Sequence, residues 1–567
     1  MSEEKKNGSV LVVGAGIAGI QSALDLAERG IKVYLLDNAP AIGGAMSQLD
    51  RTFPHGKPAL CQISHKLDAV YRHPNIDLIT NANLGRMKGE VGNFEVTIQK
   101  DPFRVNDKCN NCGVCVQVCP IKPYDTFNEG LTLRTAIDVQ NQCPVPPIYN
   151  IDKETPICVE TCPVHIDIRK YVGQVANGQF LEALATVRER NPLPAICGRV
   201  CNHPCEDACN RGWQDEPIAI DALKRFVADY ELKLAREGKL PKPKPPKKVY
   251  KEKVVIIGAG PAGLTVAHDL ALKGYESTIF EEAPVPGGML WLGIPEYRLP
   301  RDIIQTEVDY ICDMGVELKL NTPIGPDLTI DDLLKQGYKA VFIGVGAHKG
   351  LKLRVPGEDD FEGFLDCIVF LRRVNLGDHS KPGEKVVVIG GGNSAIDSAR
   401  TALRLGSDEV TILYRRSRKE MPANPWEIDE AEHEGVKIHY LAAPVEILGK
   451  NGKVVGMNCT RMELGKLDAS GRRRPIPVEG SEFEVEADVV VPAISQEPDI
   501  SFLHEGHGLE ISKWNSFVID SRTKMTNRPG FFSGGDADTG PSVVIEAIAA
   551  GHAAANGIHN YLRELAK

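Results

Sequence analysis

Short apolar runs that end in glycine recur along the chain and mark its architecture. Residues 10–46 and 254–290 align without gaps at an offset of 244, and each reads apolar strand, Gly-Ala-Gly-x-Ala-Gly, amphipathic helix, second strand, acid, Gly-Gly pair. A third run of this kind covers 386–397, with its second strand at 410–414. Period-two and period-3.6 patterns in this order predict βαβ nucleotide-binding units. Strands are also expected at 340–346 and 487–493, a strand at 530–533, a small-residue helix from about 542 to 556, and amphipathic helices near 169–177 and 181–190. The run KLPKPKPPKK at 239–248 reads as a stiff linker, because proline favours the extended polyproline form.

The glycines have mechanical roles. In such a fingerprint the first makes the tight turn, the second lets a pyrophosphate approach the backbone at a helix N-terminus, and the third packs helix on strand. Those positions are Gly14, Gly16 and Gly19 in the first copy, with Asp37 ending the second strand, and Gly258, Gly260 and Gly263 in the second copy, with Glu281. The acid accepts ribose hydroxyls. Gly43-Gly44 and Gly287-Gly288, the latter followed by Met289, complete the two patterns. The third fingerprint carries Gly390, Gly392, Asn393 and Ala395, but its second strand ends in Arg415-Arg416 instead of an acid. Arginine there clamps a 2′-phosphate and predicts NADP over NAD.

Eleven of the fifteen cysteines fall between Cys109 and Cys209. The run Cys109-x2-Cys112-x2-Cys115-x3-Cys119-Pro120 has the spacing with which a ferredoxin-like loop holds 4Fe-4S clusters. Cys197, Cys201, Cys205 and Cys209 follow one another at four-residue steps; on one unbroken helix they would span about 18 Å, too far for one cluster, so the chain is expected to bend at Pro204 or to share them. Cys143, Cys158 and Cys162 lie between. A disulfide scaffold suits small secreted chains, and zinc suits paired Cys-x2-Cys knuckles, so iron–sulfur is the favoured reading. Cys61, Cys312, Cys367 and Cys459 stand alone and read as inert thiols; without a close pair after either of the first two fingerprints, thiol–disulfide chemistry is disfavoured.

Charge narrows the partners. The net charge of −10 argues against nucleic acid, whose phosphates require a basic face. No apolar run approaches the roughly 20 residues of a membrane helix, so membrane insertion is not expected. Residues 1–9 are short and charged, and with the thiol clusters they suggest a reducing, cytoplasmic setting.

Two resemblances follow from the motifs. Residues 155–567 resemble the small subunit of glutamate synthase and its relatives, including the N-terminal half of dihydropyrimidine dehydrogenase and the large subunit of bifurcating ferredoxin:NADP transhydrogenases. The motifs are Cys158-x3-Cys162-Pro163, Cys197-Gly198-Arg199-Val200-Cys201, Pro217-Ile218-Ala219-Ile220, Gly293-Ile294-Pro295, Tyr414-Arg415-Arg416, Glu420-Met421-Pro422 and Gly534-Gly535-Asp536. In that family Gly535 and Asp536 belong to the closing motif, whose Asp binds the flavin ribityl chain. Residues 10–149 are similar to the A subunit of heterodisulfide reductase, through Gln48-Leu49-Asp50-Arg51-Thr52-Phe53-Pro54, Arg72-His73-Pro74-Asn75 and the ferredoxin run. One departure stands out: the Cys-x2-Cys that usually precedes the position of Cys158 is absent. The resemblance then implies two to three 4Fe-4S clusters, on Cys119, Cys143, Cys158 and Cys209; on Cys162, Cys201 and Cys205 with an unassigned fourth ligand; and on Cys109, Cys112 and Cys115 with another.

The expected fold is α/β: a flavoprotein of two dinucleotide-binding domains, with an NADP domain inserted in an FAD domain, preceded by further modules. The expected domains are a Rossmann-like half-domain at 1–100, a ferredoxin-like segment at 101–154, a helical iron–sulfur domain at 155–238, a linker at 239–252, FAD domain at 253–379 and 491–567, and NADP domain at 380–490. Only one closing motif is present, so one complete FAD site and one half-site at 10–46 are expected. The implied function is electron transfer between NADP(H) and ferredoxin or a partner enzyme, such as a 2-oxoacid oxidoreductase or a heterodisulfide-reductase-like complex, with cofactors instead of side chains carrying the redox step. The alternatives are a glutamate synthase small subunit, and a non-redox scaffold role for residues 1–150.

Overall fold

The structure is a computed structural model that describes residues 8–54, 56–100, 109, 112–119, 125–129, 131–132, 134–138, 145–146, 150–151, 156–240, 244–468 and 470–566. The expectation for Cys143 lies outside the described residues. The chain forms two compact units, Met1–Thr155 and Pro156–Lys567.

In the first unit, β1 (Ser9–Val13), α1 (Ile17–Glu28), β2 (Lys32–Leu36), α2 (Ala59–Arg72) and β3 (Ile76–Ile79) form a parallel sheet of order β1–β2–β3 covered by helices. Buried Ile20, Ala23, Leu24 and Ala27 recur at helical spacing on α1, and Ile63, Leu67 and Val70 on α2, so both helices bury one stripe. A hairpin of β4 (Ala82–Glu90) and β5 (Asn93–Lys100) follows. Among the described residues β1 is an edge strand.

The second unit opens with helices α3 (Ile168–Ala176), α4 (Phe180–Arg188), α5 (Pro194–Val200), α6 (Pro204–Asp207) and α7 (Ile220–Arg236). The expected bend is present. Helix α5 ends at Val200, Cys201 is extended, His203 has φ +39° and Pro204 opens α6. The cysteines at four-residue steps therefore do not share one helix face.

Next comes a five-stranded parallel sheet of order β8–β7–β6–β9–β18, formed by β6 (Lys253–Ile257), β7 (Glu276–Phe280), β8 (Glu317–Lys319), β9 (Tyr338–Ile343) and β18 (Phe531–Ser533). Helix α8 (Pro261–Lys273) links β6 to β7, and α9 (Arg301–Asp313) precedes β8. Between β9 and β18 the chain inserts a second domain. It contains α10 (Cys367–Asn375), β10 (Lys385–Ile389), α11 (Asn393–Arg404), β11 (Glu409–Tyr414), α12 (Pro425–Glu434) and β12 (Lys437–Tyr440). An antiparallel layer of β13 (Ala442–Lys450), β14 (Lys453–Leu467), β15 (Arg473–Pro477) and β16 (Phe483–Glu486) follows, and β17 (Val489–Pro492) returns to pair with β10. The C-terminal helix α13 (Val544–Leu565) is longer than the sequence pattern predicts. Its small residues press it onto α8, where a Cβ on Gly551 would lie 2.7 Å from Thr265 Cβ.

Two ties, one buried and one half-buried, hold the helical region to the sheet domain. Glu307 on α9 accepts from Ala195 N (2.8 Å) and Ile196 N (3.0 Å), satisfying the first turn of α5. His552 on α13 is bound on both sides, Nδ1 to Asp269 Oδ2 (2.6 Å) and Nε2 to the Arg190 carbonyl (2.8 Å). Both partners are acceptors, so the ring is doubly protonated. Burial opposes that charge, but the hydrogen bond and charge of Asp269 outweigh it and hold His552 above its ordinary value. A raised histidine stabilises the fold fully below its unfolded value of about 6.5 and ceases to as pH climbs past the folded one. Unfolding free energy should therefore fall as pH rises above about 6.5, through the raised folded value of His552. Denaturant titrations of wild type and His552→Gln across pH 6–9 check this, and the variant should lack the step.

Candidate functional site

A cavity of about 600 Å³ runs through the second unit. One end is the turn after β6. Gly258 has φ +98°, and a Cβ there would sit 2.5 Å from the Gly344 carbonyl; a Cβ on Gly263 would sit 2.1 Å from Gly258 O. Gly260 caps α8, so the first amides of that helix face the cavity. Glu281, at the end of β7, accepts from Ala259 N (2.7 Å) and Ala283 N (2.8 Å), which ties the loops on either side of the nucleotide position together. Burial pushes its carboxyl up. A Cβ on Gly288 would lie 3.1 Å from Gly260 Cα, so this second glycine loop closes on the first, and Met289 lines the same wall.

Gly535 (φ +71°) and Asp536 come to this cavity from the C-terminal end of β18. Asp536 is half-buried, and desolvation raises its carboxyl to about 7, while Oδ1 accepts from Ser542 N (3.2 Å). Val543 and Val544, at the start of α13, also line the cavity.

The other end of the cavity reaches the third fingerprint through Gly392, Asn393, Ser394 and Asp397. Gly390 and Gly391 make the turn there; a Cβ on Gly390 would sit 2.2 Å from the Ala493 carbonyl, and one on Gly391 2.5 Å from the Tyr414 ring. Ala395 is fully buried under α11. Asn393 Oδ1 accepts from Asn424 N (3.1 Å) and steadies the loop. The two arginines after β11 part company. Arg416 is buried, with Nε on the Arg473 carbonyl (2.7 Å) and NH2 on Asp468 (2.7 Å). Arg415 is exposed, with Arg416 and Arg472 close enough that, after burial, their charges lower it further. Arg415 and Arg472 thus form a cationic surface, and Arg416 braces it.

Sequence reasoning missed Arg298. From the FAD-type domain it reaches Asp397 (2.7 Å) and Glu427 in the inserted domain, all three largely buried. Its nearness to Gly293-Ile294-Pro295 was the available signal.

The first copy keeps its local geometry. Asp37 accepts from Ala15 N and from Ala39 N (2.8 Å), and a Cβ on Gly44 would lie 3.2 Å from Gly16 Cα, matching Gly288 and Gly260. A Cβ on Gly19 would meet Gly14 O at 1.8 Å. The surroundings differ. Around Gly14 a Cβ would meet nothing within 4 Å, and Val13 is 58% exposed where the corresponding Ile257 is 5%. Among the described residues, this copy has no counterpart of β9, β18 or α13.

The cysteines sort into groups. Cys162 lies within electrostatic reach of Cys201 and Cys205, and Cys201 of Cys205, while Cys158 and Cys209 form a second neighbourhood. Burial, with smaller contributions from Cys201, Cys162 and Glu206 and against the pull of Lys224, pushes Cys205 up to about 12, so a free thiol there is neutral at physiological pH. In the first unit Cys109 and Cys115 are half-buried, Cys112 exposed and Cys119 buried. Among the described residues no three potential ligands are drawn into one coordination sphere. An anionic group nevertheless fits the Cys162, Cys201 and Cys205 neighbourhood, because the buried ammonium of Lys224, paired with Asp221 (2.6 Å), also lies within electrostatic reach of Cys201 and Cys205 and favours their anionic form. Lys224 also escaped the sequence reading, although a lysine in the apolar row Ile220, Lys224, Val227, Ala228 of α7 was visible. Finally, Val200 lines the large cavity and is bonded to Cys201.

Known proteins agree with this layout. Residues 252–551 match the pyridine nucleotide-disulphide oxidoreductase family, 123–235 the 4Fe-4S domain II of dihydropyrimidine dehydrogenase, 9–48 the FAD-dependent oxidoreductase family and 102–124 the 4Fe-4S binding domain. For the N-terminal segment these matches support a flavin-type fingerprint and a ferredoxin run; the likeness to heterodisulfide reductase finds no support and is withdrawn. The motifs behind that likeness lie in and around loops, which are weak guides to one family. The beta subunit of the NADP(+)-dependent formate dehydrogenase of Moorella thermoacetica is 47% identical over 426 residues, 72% of this chain and 60% of that protein. The beta subunit of the NADPH-Fe(3+) oxidoreductase of Geobacter sulfurreducens is 46% identical over 439 residues, 73% of this chain and 65% of that protein. The small chain of the NADPH glutamate synthase of Azospirillum brasilense is 35% identical over 427 residues, 73% of this chain and 87% of its own. The chain thus spans less than two thirds of the length of the first two relatives. With its glycine turns, its inserted second nucleotide domain and its matched span, the chain belongs to the pyridine nucleotide-disulphide oxidoreductase family, here joined to 4Fe-4S binding domains.

Proposed function

We propose that this chain is an electron-transfer flavoprotein subunit working between NADP(H) and a redox partner. The observation that carries the reading is the single cavity that joins the Gly258 turn, the Asn393 turn and Val200 beside Cys201. FAD supplies hydride exchange with NADP(H) and single-electron exchange with 4Fe-4S clusters, chemistry that side chains do not offer. The chain's own residues bind and orient. Gly258, Gly260 and the first amides of α8 would hold the FAD pyrophosphate, Glu281 the ribose, and Asp536 the ribityl chain. Arg415, supported by Arg472, would take the 2′-phosphate of NADP(H). Cys162, Cys201 and Cys205 would hold the cluster nearest the cavity, with Cys158 and Cys209 serving a second and Cys109, Cys112 and Cys115 a third.

Electrons would leave to ferredoxin or to another subunit of a complex. The relatives are named as subunits of formate dehydrogenase, of an Fe(3+) oxidoreductase and of glutamate synthase, which supports a role as the NADPH-facing member of an assembly. The front unit, with its ferredoxin run, argues against a plain glutamate synthase small chain.

Anaerobic addition of NADPH to the reconstituted chain should bleach both flavin and iron–sulfur absorbance. Bleaching of neither would refute the reading. Arg415→Ala should raise the KM for NADPH ~10–100-fold, the worth of a charge-assisted hydrogen bond, and leave the KM for NADH unchanged. Arg416→Ala should instead lower stability, because Asp468 loses its buried partner. Extraction of the isolated chain should release one tightly held FAD, and Asp536→Ala should lower the affinity for it at least ~10-fold, about 1.4 kcal/mol; two flavins surviving in the variant would contradict the assignment.

A further inference from the structure

Among the described residues of the helical region, Lys224 is the buried lysine, and thiols lie within its electrostatic reach. It is 5% exposed and lies in the row Ile220, Lys224, Val227 that α7 turns toward the core. Its described ion-pair partner is Asp221, with Oδ1 2.6 Å from Nζ. Asp221 is itself fixed, because its backbone N–H donates to Glu206 Oε1 (2.7 Å) in α6, between Cys205 and Cys209. The ammonium acts on Cys197, Cys201 and Cys205 and favours the thiolate at each. Tyr171 closes the site from α3, with its hydroxyl on the Ile220 carbonyl (2.7 Å). Packing does not require a cation here, since methionine would fill the same volume without the desolvation cost of an ammonium. A charge held at such a cost, beside three cysteines and one residue from the cavity wall, has an electrostatic use.

We propose that Lys224 is a fixed counter-cation for the cluster held by Cys162, Cys201 and Cys205, placed to raise that cluster's reduction potential, and that Asp221 positions it. The proposal rests on the cluster assignment made above. One electron delivered from NADPH by way of the flavin adds one negative charge to a cluster and brings no proton, so a nearby ammonium lowers the energy of the reduced form. Asp221 offsets part of that field and holds Nζ in place. Because Val200 lines the cavity next to Cys201, the tuned cluster is the one that takes electrons from the flavin side. Charge and cavity together make it the first stop for electrons from the flavin.

The test is a redox titration of the anaerobically reconstituted full chain, followed by electron paramagnetic resonance, with iron and sulfide counted per chain. Lys224→Met should retain its iron and shift one cluster to a more negative midpoint, by at least tenfold in the reduced-to-oxidised ratio at fixed potential, ~59 mV for one electron. Lys224→Arg should stay near wild type, and Asp221→Asn should move the same cluster the opposite way. An unchanged midpoint in Lys224→Met with full iron overturns the proposal. If Lys224→Met loses one cluster's iron while Lys224→Arg keeps it, the charge requirement stands; loss in both overturns it. The underlying assignment fails separately, and visibly, if Cys162→Ser leaves iron content and every resonance unchanged.

Discussion

The contact between α8 and α13 is the constraint on which the working architecture depends. Gly551 brings the C-terminal helix against Thr265 with no room for a side chain. That contact presents Asp536 and the start of α13 to the turn after β6, almost three hundred residues earlier in the chain. The same helix carries His552, whose imidazolium spans Asp269 on α8 and the carbonyl of Arg190 in the helical region. This helix–helix interface therefore helps to close the cavity and supplies one of the two ties to the cysteine-bearing helices.

The first unit shows what the fold is without that helix. Its turn, its acid and its second glycine loop repeat the contacts of the second copy, yet among the described residues β1 ends at an edge and Val13 faces out. Local geometry is insufficient for a complete binding site. A pyrophosphate turn is built by about ten residues, but a cavity that excludes water needs walls from distant strands and helices.

Charge placement follows the same division. The basic end of β11 predicts a 2′-phosphate site, but only the antiparallel layer decides which guanidinium is free: Asp468 and the Arg473 carbonyl, 52 and 57 residues along, take Arg416 and leave Arg415 exposed. Lys224 is a similar case, a residue whose sequence context is an ordinary amphipathic helix and whose meaning appears when the fold brings Cys197, Cys201 and Cys205 within its electrostatic reach. Strand positions were more legible. The strands expected at 340–346 and 487–493 are Tyr338–Ile343 and Val489–Pro492, and the helices near 169–177 and 181–190 are Ile168–Ala176 and Phe180–Arg188. The antiparallel layer between 442 and 486 was not legible, because half-exposed strands with many charges carry a weak alternating pattern.

By itself the sequence determined the three nucleotide turns, the ferredoxin spacing and the bend before Cys205. Each is set by sterics within a few residues, where only glycine fits a left-handed turn or a close backbone approach and where proline restarts a helix. Tertiary structure decided that two glycine turns and Val200, the residue before Cys201, line one cavity, that among the described residues one fingerprint is walled and the other open, and which buried charges lie near which thiols. Those outcomes depend on burial and on Coulomb interaction between segments far apart in the chain, and no local pattern encodes which distant group will supply the partner.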